Sequence, residues 1–465
     1  MRHGIFAGLV LVSAFVTLPA SAGVTLLAYG TLTGSSAGNN VDLSGLTGTL
    51  EDGLPANILG GLGSGFAYAG GNTFLALSDR GPNATPYNST VDDTVSYISR
   101  FQTINMALTP NAPGSSLPFT LTPTVTQTTL LSSPTALNYG TGAGLGFRID
   151  GVTPIGSGAP AQNTSTAFYF TGRSDNFGPG NSGNANNARF DPESIRVSND
   201  GKSVFISDEY GPYVRQFDRA TGQQIKSFAL PSNLNVANLS PNVATEISGN
   251  TSGRVANKGM EGLALTPDGK TLVGIMEAPL IQDAANPATS NLLRIVTIDI
   301  ATGAATHEYG YNLTTGSGVS DIVAINDHQF LVDERDGKGL GDGSNAKIKQ
   351  IFKIDVANAT DITSLTGAAA AAAAVPKSAT PFLDIVAELG AHGITPANVP
   401  KKIEGLAFGQ DVVLADGTIE HTLWVTNDND FVPGTAGPNQ FFVFGFQDSD
   451  LSSLAPNVPE PSHGQ

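Results

Sequence analysis

The stretch Asp191–Pro212 reads DPESIRVSNDGKSVFISDEYGP: two short apolar runs flank the turn SNDGKS, and carboxylates stand at both ends. Asp-Gly supplies the positive φ of a tight turn, so this stretch predicts a β-hairpin. The same order of apolar run, turn, apolar run and polar or acidic cluster recurs in four other segments. These are Gly63–Gly81, Gly259–Pro279, Val319–Gly337 and Lys402–Asp430. The sequence therefore predicts an all-β protein whose repeating unit is this hairpin.

Hairpins repeated within one large domain indicate a β-propeller, in which each blade is a small antiparallel sheet around a central channel. The repeats are spaced more widely than minimal blades, and regions 84–190 and 281–318 have room for blades with weaker sequence echoes. We therefore predict six blades, with seven as the alternative, in a single domain over residues 23–450. A β-sandwich or several β domains in tandem are the competing folds.

Several stretches have the composition of loop insertions in this domain. The Pro/Thr-rich run Thr109–Thr124 is predicted to be a surface loop, and the Gly/Asn-rich run from Gly178 is predicted to be another. The alanine run Ala368–Ala374 is compatible with either a short helix or a tolerated loop. The run TAFYFTGRSD, which ends at Asp175, is a candidate strand of an additional blade.

Both ends of the chain carry targeting features. Residues 1–22 have a basic start, an apolar run over Gly4–Leu18 and the cleavage pattern Ala-Ser-Ala, which together predict a signal peptide. The apolar run is shorter than the roughly 20 residues of a membrane span. We expect an exported protein that is periplasmic, secreted or at the cell surface of a bacterium. Residues 451–465 are predicted to be a disordered tail, in which Val458–Ser462 resembles the opening of the PEP-CTERM sorting signal.

The amino-acid composition excludes several catalytic groups and binding partners. The chain has no cysteine, which excludes a thiol nucleophile and a Cys-ligated metal. Lys and Arg total 23 against 40 Asp and Glu, giving a net charge of −17. Such a chain repels nucleic acid and anionic lipid and favours cations, or anions bridged by cations. We expect a monomer that binds no nucleic acid and has no membrane span after signal cleavage.

The carboxylates at the hairpin ends follow a spacing. Glu193 and Glu209 are 16 residues apart, and so are Glu261 and Glu277. In an antiparallel hairpin the start of the first strand faces the end of the second, so each pair meets at the open end. The acids that we predict there as metal ligands are Asp79, Glu193, Glu209, Glu261, Glu277, Glu334, Glu404 and Asp428.

If these hairpins are the inner pairs of successive blades, their open ends surround one mouth of the channel. Carboxylates that converge repel each other unless a cation lies among them. Hard oxygen ligands suit Ca²⁺, with Mg²⁺ as the alternative. The competing interpretation is structural: such acids also cap turns, remain in solvent, or fix the next blade by accepting hydrogen bonds from its backbone N–H groups.

The repeated phrases resemble the phytase-like family, described as "esterase-like activity of phytase". The matching phrases are FLALSDRGPN, DPESI, VFISDEYGP, NKGMEGLALTPDGKTL, MEAPL, SDIVAINDHQFLVDERDG and KKIEGLAFG. They occur in the family's order over roughly residues 60–445. The resemblance implies an exported propeller-like protein and, more loosely, hydrolysis of the phosphoester type. One departure is Ser194, where the family has glycine after the glutamate; its Cβ is expected to narrow the backbone approach there.

The sequence lacks the usual hydrolase motifs. It has no G-x-S-x-G nucleophile elbow and no H-E-x-x-H zinc motif. Metal-assisted hydrolysis of a small anionic ester remains, with Glu261, Arg335, Arg80 and Lys258 as predicted catalytic residues, the basic ones neutralising developing charge. The sequence favours an enzyme of this kind. The alternatives are a metal-dependent lactonase or carboxylesterase, and a binding propeller without catalysis.

Overall fold

The computed structural model describes residues 23–33, 41–84, 94–142, 145–174, 184–211, 213–240 and 243–451. The predicted signal peptide and most of the predicted tail, residues 452–465, lie outside this part of the chain, as does the start of the Gly178 run. Within it, no helix is long and apolar enough to cross a membrane.

The described part of the chain is built mainly from strands. The strands are β1 (Thr25–Leu32), β2 (Gly65–Tyr68), β3 (Thr73–Leu77), β4 (Arg100–Pro110), β5 (Phe119–Leu130), β6 (Ser132–Ser133), β7 (Phe168–Tyr169), β8 (Pro192–Val197), β9 (Ser203–Asp208), β10 (Tyr213–Asp218), β11 (Gln224–Ala229), β12 (Met260–Leu265), β13 (Thr271–Met276), β14 (Leu292–Asp299), β15 (Ala305–Asn312), β16 (Gly318–Ala324), β17 (Gln329–Arg335), β18 (Lys349–Asp355), β19 (Leu383–Asp384), β20 (Ile403–Val413), β21 (Ile419–Asn427) and β22 (Asn439–Phe446). The helices are short: a 3₁₀ turn at Ser232–Leu234, α1 (Val243–Gly249), α2 (Ile281–Ala284), α3 (Gly367–Ala372), α4 (Ile385–Ala391), α5 (Pro433–Ala436) and α6 (Asp448–Leu451).

The strands form a β-propeller of five four-stranded blades. From the channel outwards, blade 1 is β2–β5, blade 2 is β8–β11, blade 3 is β12–β15, blade 4 is β16–β19, and blade 5 is β20, β21, β22 and β1. The innermost strands contact one another in a closed ring, β2 to β8, β12, β16, β20 and back to β2. The all-β propeller is confirmed, and each of the five repeated segments supplies the two inner strands of one blade.

The prediction of six or seven blades is wrong. Regions 84–190 and 281–318 were expected to hold additional blades, but they supply the long outer strands of blades 1 and 3. The candidate strand in TAFYFTGRSD is β7, which pairs only with β6 in a two-stranded ribbon. The outer strands carry no acidic motif. The long intervals between the repeats are therefore occupied by outer strands and loops, and not by additional blades.

Two of the predicted loops also have regular structure. The Pro/Thr-rich run at 109–124 is the end of β4 and the start of β5, and only residues 111–118 turn between them. Pro123 is tolerated because β5 is the edge strand of its blade, where a missing N–H breaks no ladder. The alanine run forms α3, so its helical alternative is the one observed.

Both ends of the described chain close the ring. β1 pairs antiparallel with β22, from Thr25 opposite Gly445 to Leu32 opposite Asn439, and so becomes the outer strand of blade 5. Its side chains Leu26, Leu27 and Ala28 are almost fully buried. The propeller is therefore closed by backbone hydrogen bonds between the first and last strands of the domain.

The hydrophobic core lies between neighbouring blades. Blades 5 and 1, for example, share a cluster in which the rings of Phe74 and Trp424 have centroids 4.5 Å apart. Every residue of β8 and β9 is buried, because each inner hairpin packs against a blade on both faces. This explains why the repeated segments have continuous apolar runs where a half-exposed strand would alternate.

Candidate functional site

A β-bulge occurs at the start of the inner hairpin in blades 2 to 5. The register between the two inner strands shifts there, at the residue pairs Pro192/Ile195, Met260/Gly262, Val319/Asp321 and Ile403/Leu406. The residues at the bulges are Glu193, Glu261, Ser320 and Glu404. Because a bulge re-aims a side chain, this irregularity positions the first carboxylate of the hairpins in blades 2, 3 and 5.

The second set of positions follows the second inner strand. Glu209, Glu277 and Asp428 donate their backbone N–H groups to the carbonyls of Asp191, Gly259 and Lys402, at 2.8, 2.9 and 3.1 Å. In blade 4 the corresponding residue is Arg335, which pairs with Gly318. By the same register the residue from blade 1 is Asp79. Four acids and one arginine therefore occupy equivalent places around the channel.

Four of these five residues, all except Asp428, line a pocket of about 870 Å³, here called the mouth pocket. Of the residues predicted from the sequence, those that line it are Asp79, Arg80, Glu193, Glu209, Lys258, Glu261, Glu277 and Arg335. The pocket is also lined by Lys402 and by Asp336, Lys401 and Asp430, for which the sequence analysis predicted no role. Lys401 and Lys402 open the KKIEGLAFG phrase, and Asp336 and Asp430 lie in the repeated segments just after the hairpin acids, so the motifs themselves contain all four.

Two groups of carboxylates approach each other closely in the mouth pocket and share Glu209. One oxygen from each of Asp191, Glu193 and Glu209 lies within 4.8 Å of the others, and the same holds for Glu209, Glu261 and Glu277. Glu209 also accepts a 2.8 Å hydrogen bond from the N–H of Gly259 in the next blade. Glu209 thus has the structural role considered as the alternative, while its Oε2 lies 3.9 Å from Nη1 of Arg80.

Glu193 and Glu261 are the least compensated members of these groups. They are 6% and 5% exposed, and among the described residues none donates a hydrogen bond to either carboxylate. The nearest cation is Arg335, whose Nη2 lies 3.7 Å from Oε1 of Glu261. Hard, converging and unpartnered oxygens fit a divalent cation such as Ca²⁺ or Mg²⁺.

The pKa values of these carboxyls reflect the crowding. Burial raises the pKa of Glu193 well above its ordinary value, and the charges of Glu261, Asp191 and Glu209 add to the effect. Burial likewise raises the pKa of Glu261, reinforced by Glu277 and Glu209 and opposed by Arg335. Without a cation these groups therefore favour their protonated forms.

Basic side chains hold the rim of the mouth pocket. Arg80 Nη1 lies 2.9 Å from Oδ2 of Asp191, and Lys258 Nζ lies 2.8 Å from Oε1 of Glu277. Arg335 donates from Nη2 to Oε1 of Glu404 at 2.7 Å. Each predicted catalytic cation is thus fixed against an acid and faces the pocket.

Glu404 and Asp428 do not line the mouth pocket but lie beneath it in blade 5. Lys402 binds both, with its Nζ 3.4 Å from Oε1 of Glu404, and also contacts Asp430 at 3.0 Å. Burial raises the pKa of Asp428 to about 7. The charge of Lys402 lowers this pKa, and the charges of Asp430 and Glu404 offset part of that lowering. These two residues support the pocket through Lys402 and Arg335.

The structure does not bring Glu334 to the predicted cluster. Its carboxylate accepts hydrogen bonds from the hydroxyl of Tyr311, from the N–H of Thr314 and from Ser317, and it pairs with Lys377. The sequence predicts Glu334 at the open end of its hairpin, in the place of Glu209, but the register places Arg335 there. A shift of one residue turns a strand's side chain to the opposite face.

A second buried network, whose pairing the sequence does not show, joins the innermost strands. Asp321 accepts hydrogen bonds from Ser194 Oγ at 2.9 Å, Arg196 Nη2 at 2.8 Å and the N–H of Leu406 at 2.9 Å. Arg196 also donates to the carbonyl of Phe66, at 2.8 Å. We call Asp321 and Arg196 the channel pin, because their partners lie on the innermost strands of blades 1, 2, 4 and 5.

The channel pin also accounts for Ser194. The hydroxyl of Ser194 donates a hydrogen bond to the carboxylate of Asp321, so this side chain belongs to the contact between inner strands. At the corresponding places in blades 3 and 5 a side chain would not fit: a Cβ on Gly262 would lie 2.9 Å from the nitrogen of Ile322, and one on Gly405 would lie 2.8 Å from Cβ of Phe66. The glycine of the repeated Glu-Gly is therefore required by contact between inner strands.

Comparison with known proteins gives distant structural relatives. A hydrazine synthase of Kuenenia stuttgartiensis has 12% identity and a TM-score of 0.31 over 84% of this chain and 81% of that chain. A gluconolactonase of Xanthomonas campestris has 11% identity and a TM-score of 0.30, over 92% and 99%. Scores this low give no basis for transferring either activity.

The sequence relationships are more informative. A protein of Arthroderma benhamiae described as an uncharacterized secreted protein is 29% identical over 260 residues, which are 52% of this chain and 47% of that protein. The match therefore spans about half the length of that relative. The family described as phytase-like, esterase-like activity of phytase, matches residues 57–431, which include every hairpin and the whole mouth pocket. The chain belongs to this phytase-like family.

Proposed function

We propose that the protein is a cation-assisted phosphoesterase that hydrolyses a small anionic ester in the mouth pocket. The observation that carries the proposal is the pair Glu193 and Glu261: two buried carboxylates without hydrogen-bond donors among the described residues, each within a group of three converging acids. A protein does not keep such groups charged without a counter-ion, because burying an unpaired charge is expensive.

The residues that would hold a cation are Glu193, Glu209, Glu261 and Glu277, with Ca²⁺ as the proposed ion and Mg²⁺ as the alternative. Bound there, such an ion would attract phosphate oxygens and lower the pKa of a coordinated water. Glu209 belongs to both groups, so it would be shared if both were occupied.

The basic residues of the pocket would neutralise charge on the ester. Despite burial, the charges of Glu404, Glu277 and Glu261 raise the pKa of Arg335, which keeps the guanidinium charged. The charge of Glu277 raises the pKa of Lys258, and so this side chain is a cation and not a base at neutral pH. Ser320 Oγ accepts a 2.7 Å hydrogen bond from Nε of Arg335 and fixes its direction. Pre-positioned cations of this kind stabilise charge that develops on a phosphoryl group.

Family membership supports hydrolysis, since the family is described by an esterase-like activity of phytase. The secreted relative in Arthroderma benhamiae supports export of this chain. The phosphoester substrate, the cation, the monomeric state and a bacterial periplasmic or surface location are our proposals.

The test is release of phosphate from p-nitrophenyl phosphate by the purified protein in excess Ca²⁺, in excess Mg²⁺ and in EDTA. The proposal expects release with a divalent cation and none in EDTA. Cleavage of a lactone or carboxylic ester without any phosphate release would replace it by the lactonase or carboxylesterase alternative. Cation binding without hydrolysis of any of these esters would indicate a binding propeller.

A further inference from the structure

One side of the mouth pocket is apolar. The apolar side chains on this side are partly exposed and are contributed by α1, the segment before β12, the start of α2 and the loop after β15. They are Ile247, Val255, Ala256, Pro279, Ile281 and Leu313. We call these six side chains the apolar wall; the charged residues that line the same pocket come mostly from the ends of the inner hairpins, among them Glu193, Glu261 and Arg335.

Buried polar contacts hold the apolar wall in place. Arg254, which is fully buried, donates to the carbonyl of Tyr210 at 2.9 Å and pairs with Glu246 of α1 at 3.4 Å. The N–H of Ile281 donates to the carbonyl of Gly253 at 2.9 Å, which ties α2 to the same segment. The wall is therefore formed before any ligand binds, which reduces the entropic cost of binding.

Glu334 fixes the last part of the wall. It accepts hydrogen bonds from the N–H of Thr314 and from Ser317 Oγ, both at 3.1 Å, and these residues belong to the loop that presents Leu313. The acid that was predicted to bind a metal thus shapes the apolar side of the pocket instead.

We propose, building on the function proposed above, that the substrate is an amphipathic anionic ester. Its anionic head lies among the carboxylate-bound cation and the basic side chains, and its alkyl or aryl alcohol packs on the apolar wall. A polyanion with charges on all sides is a poor substrate, because its outer charges would lose water against apolar side chains without gaining partners.

The test uses non-hydrolysable ligands, so that binding is separated from catalysis. Methyl-, butyl- and octylphosphonate, and the alkyl carboxylates of matching length, are titrated into the Ca²⁺-loaded protein by calorimetry. The expected affinity rises with chain length, by up to about fourfold for each methylene that the wall covers. In the variants Ile247→Ser and Leu313→Ser this dependence weakens, while the anionic head still binds.

Ile225→Ser is the matched control. Ile225 is 58% exposed on β11 and does not line the mouth pocket, so the chain-length dependence is expected to match the wild type. Equal affinity across the lengths, or no binding of either series, would overturn the proposal. Chain-length dependence in a protein that releases no phosphate would keep the apolar wall as a binding site and reject the phosphoesterase. Phosphate release together with an affinity that does not depend on chain length would keep the phosphoesterase and reject the apolar wall as a binding site.

Discussion

Asp321 and Glu261 lie on the innermost strands of adjacent blades, and both carboxylates are buried, yet their surroundings are opposite. Asp321 accepts hydrogen bonds from Ser194, Arg196 and backbone N–H groups. Glu261 receives none from the described residues and faces other acids. A buried charge with a full set of partners stabilises the fold, whereas a buried charge among like charges requires something from solution. This difference distinguishes Asp321, which joins the inner strands, from Glu261, which faces the mouth pocket.

The largest expected effect comes from breaking the channel pin. Arg196→Met removes the counter-charge of Asp321 and leaves that carboxylate buried, which is expected to lower the free energy of unfolding by about 3–5 kcal/mol. Urea unfolding followed by tryptophan fluorescence would measure the loss. The matched control is Lys270→Met, which removes an ion pair whose lysine is 77% exposed and is expected to change stability by less than about 1 kcal/mol. Similar losses of unfolding free energy in both variants would show that the channel pin contributes no more to stability than an exposed ion pair.

The next effect concerns the mouth acids as a group. Ca²⁺ at a hundredfold excess over its dissociation constant is expected to add about 2.7 kcal/mol to the free energy of unfolding, because only the folded protein brings the acids together. Thermal unfolding in EDTA and in millimolar Ca²⁺ would reveal this gain. An identical melting temperature in both conditions would show that the converging acids bind no cation.

A smaller effect is expected from pH in the absence of cations. Burial raises the folded-state pKa of Asp428 from 3.8 to about 7, so this group favours folding below its unfolded pKa and loses that contribution as pH rises towards 7. Unfolding in EDTA across this range should show stability falling with pH, and Asp428→Asn should flatten the decline. A slope unchanged in the variant would show that Asp428 is not responsible. Stability that rises with pH throughout would contradict the raised pKa.

The repeated hairpins made much of this structure predictable. Turns rich in Asn, Asp or Gly and the polar or acidic ends of the hairpins placed the inner strands of every blade, and with them most of the charged residues that line the mouth pocket. The blade count was not predictable, because the outer strands carry no motif and loops of unequal length separate the repeats. The assignment of Glu334 failed because the inner hairpin of blade 4 is one residue shorter than those of blades 2 and 3, so that Ser320 and Arg335 take the positions of Glu261 and Glu277.

Long-range pairing was the other feature hidden from the sequence. Arg196 and Asp321 are separated by 125 residues and meet only because the ring of blades is closed. Neither residue lies at a distinctive spacing from the other motifs. The apolar wall was likewise unpredictable, since its side chains come from connections between strands that have no repeat.

The central claim is that the mouth carboxylates hold the cation on which hydrolysis depends, and Glu261→Gln tests it most directly. The substitution keeps the size of the side chain and removes one negative charge. We predict that phosphate release in this variant requires a higher Ca²⁺ concentration than in the wild type and reaches a lower maximum, while Asp361→Asn, which alters an exposed acid paired with His307, behaves as the wild type. If Glu261 had only a structural role, glutamine would still accept hydrogen bonds and the Ca²⁺ dependence would not change. Superimposable Ca²⁺ titrations of wild type and Glu261→Gln would contradict the account.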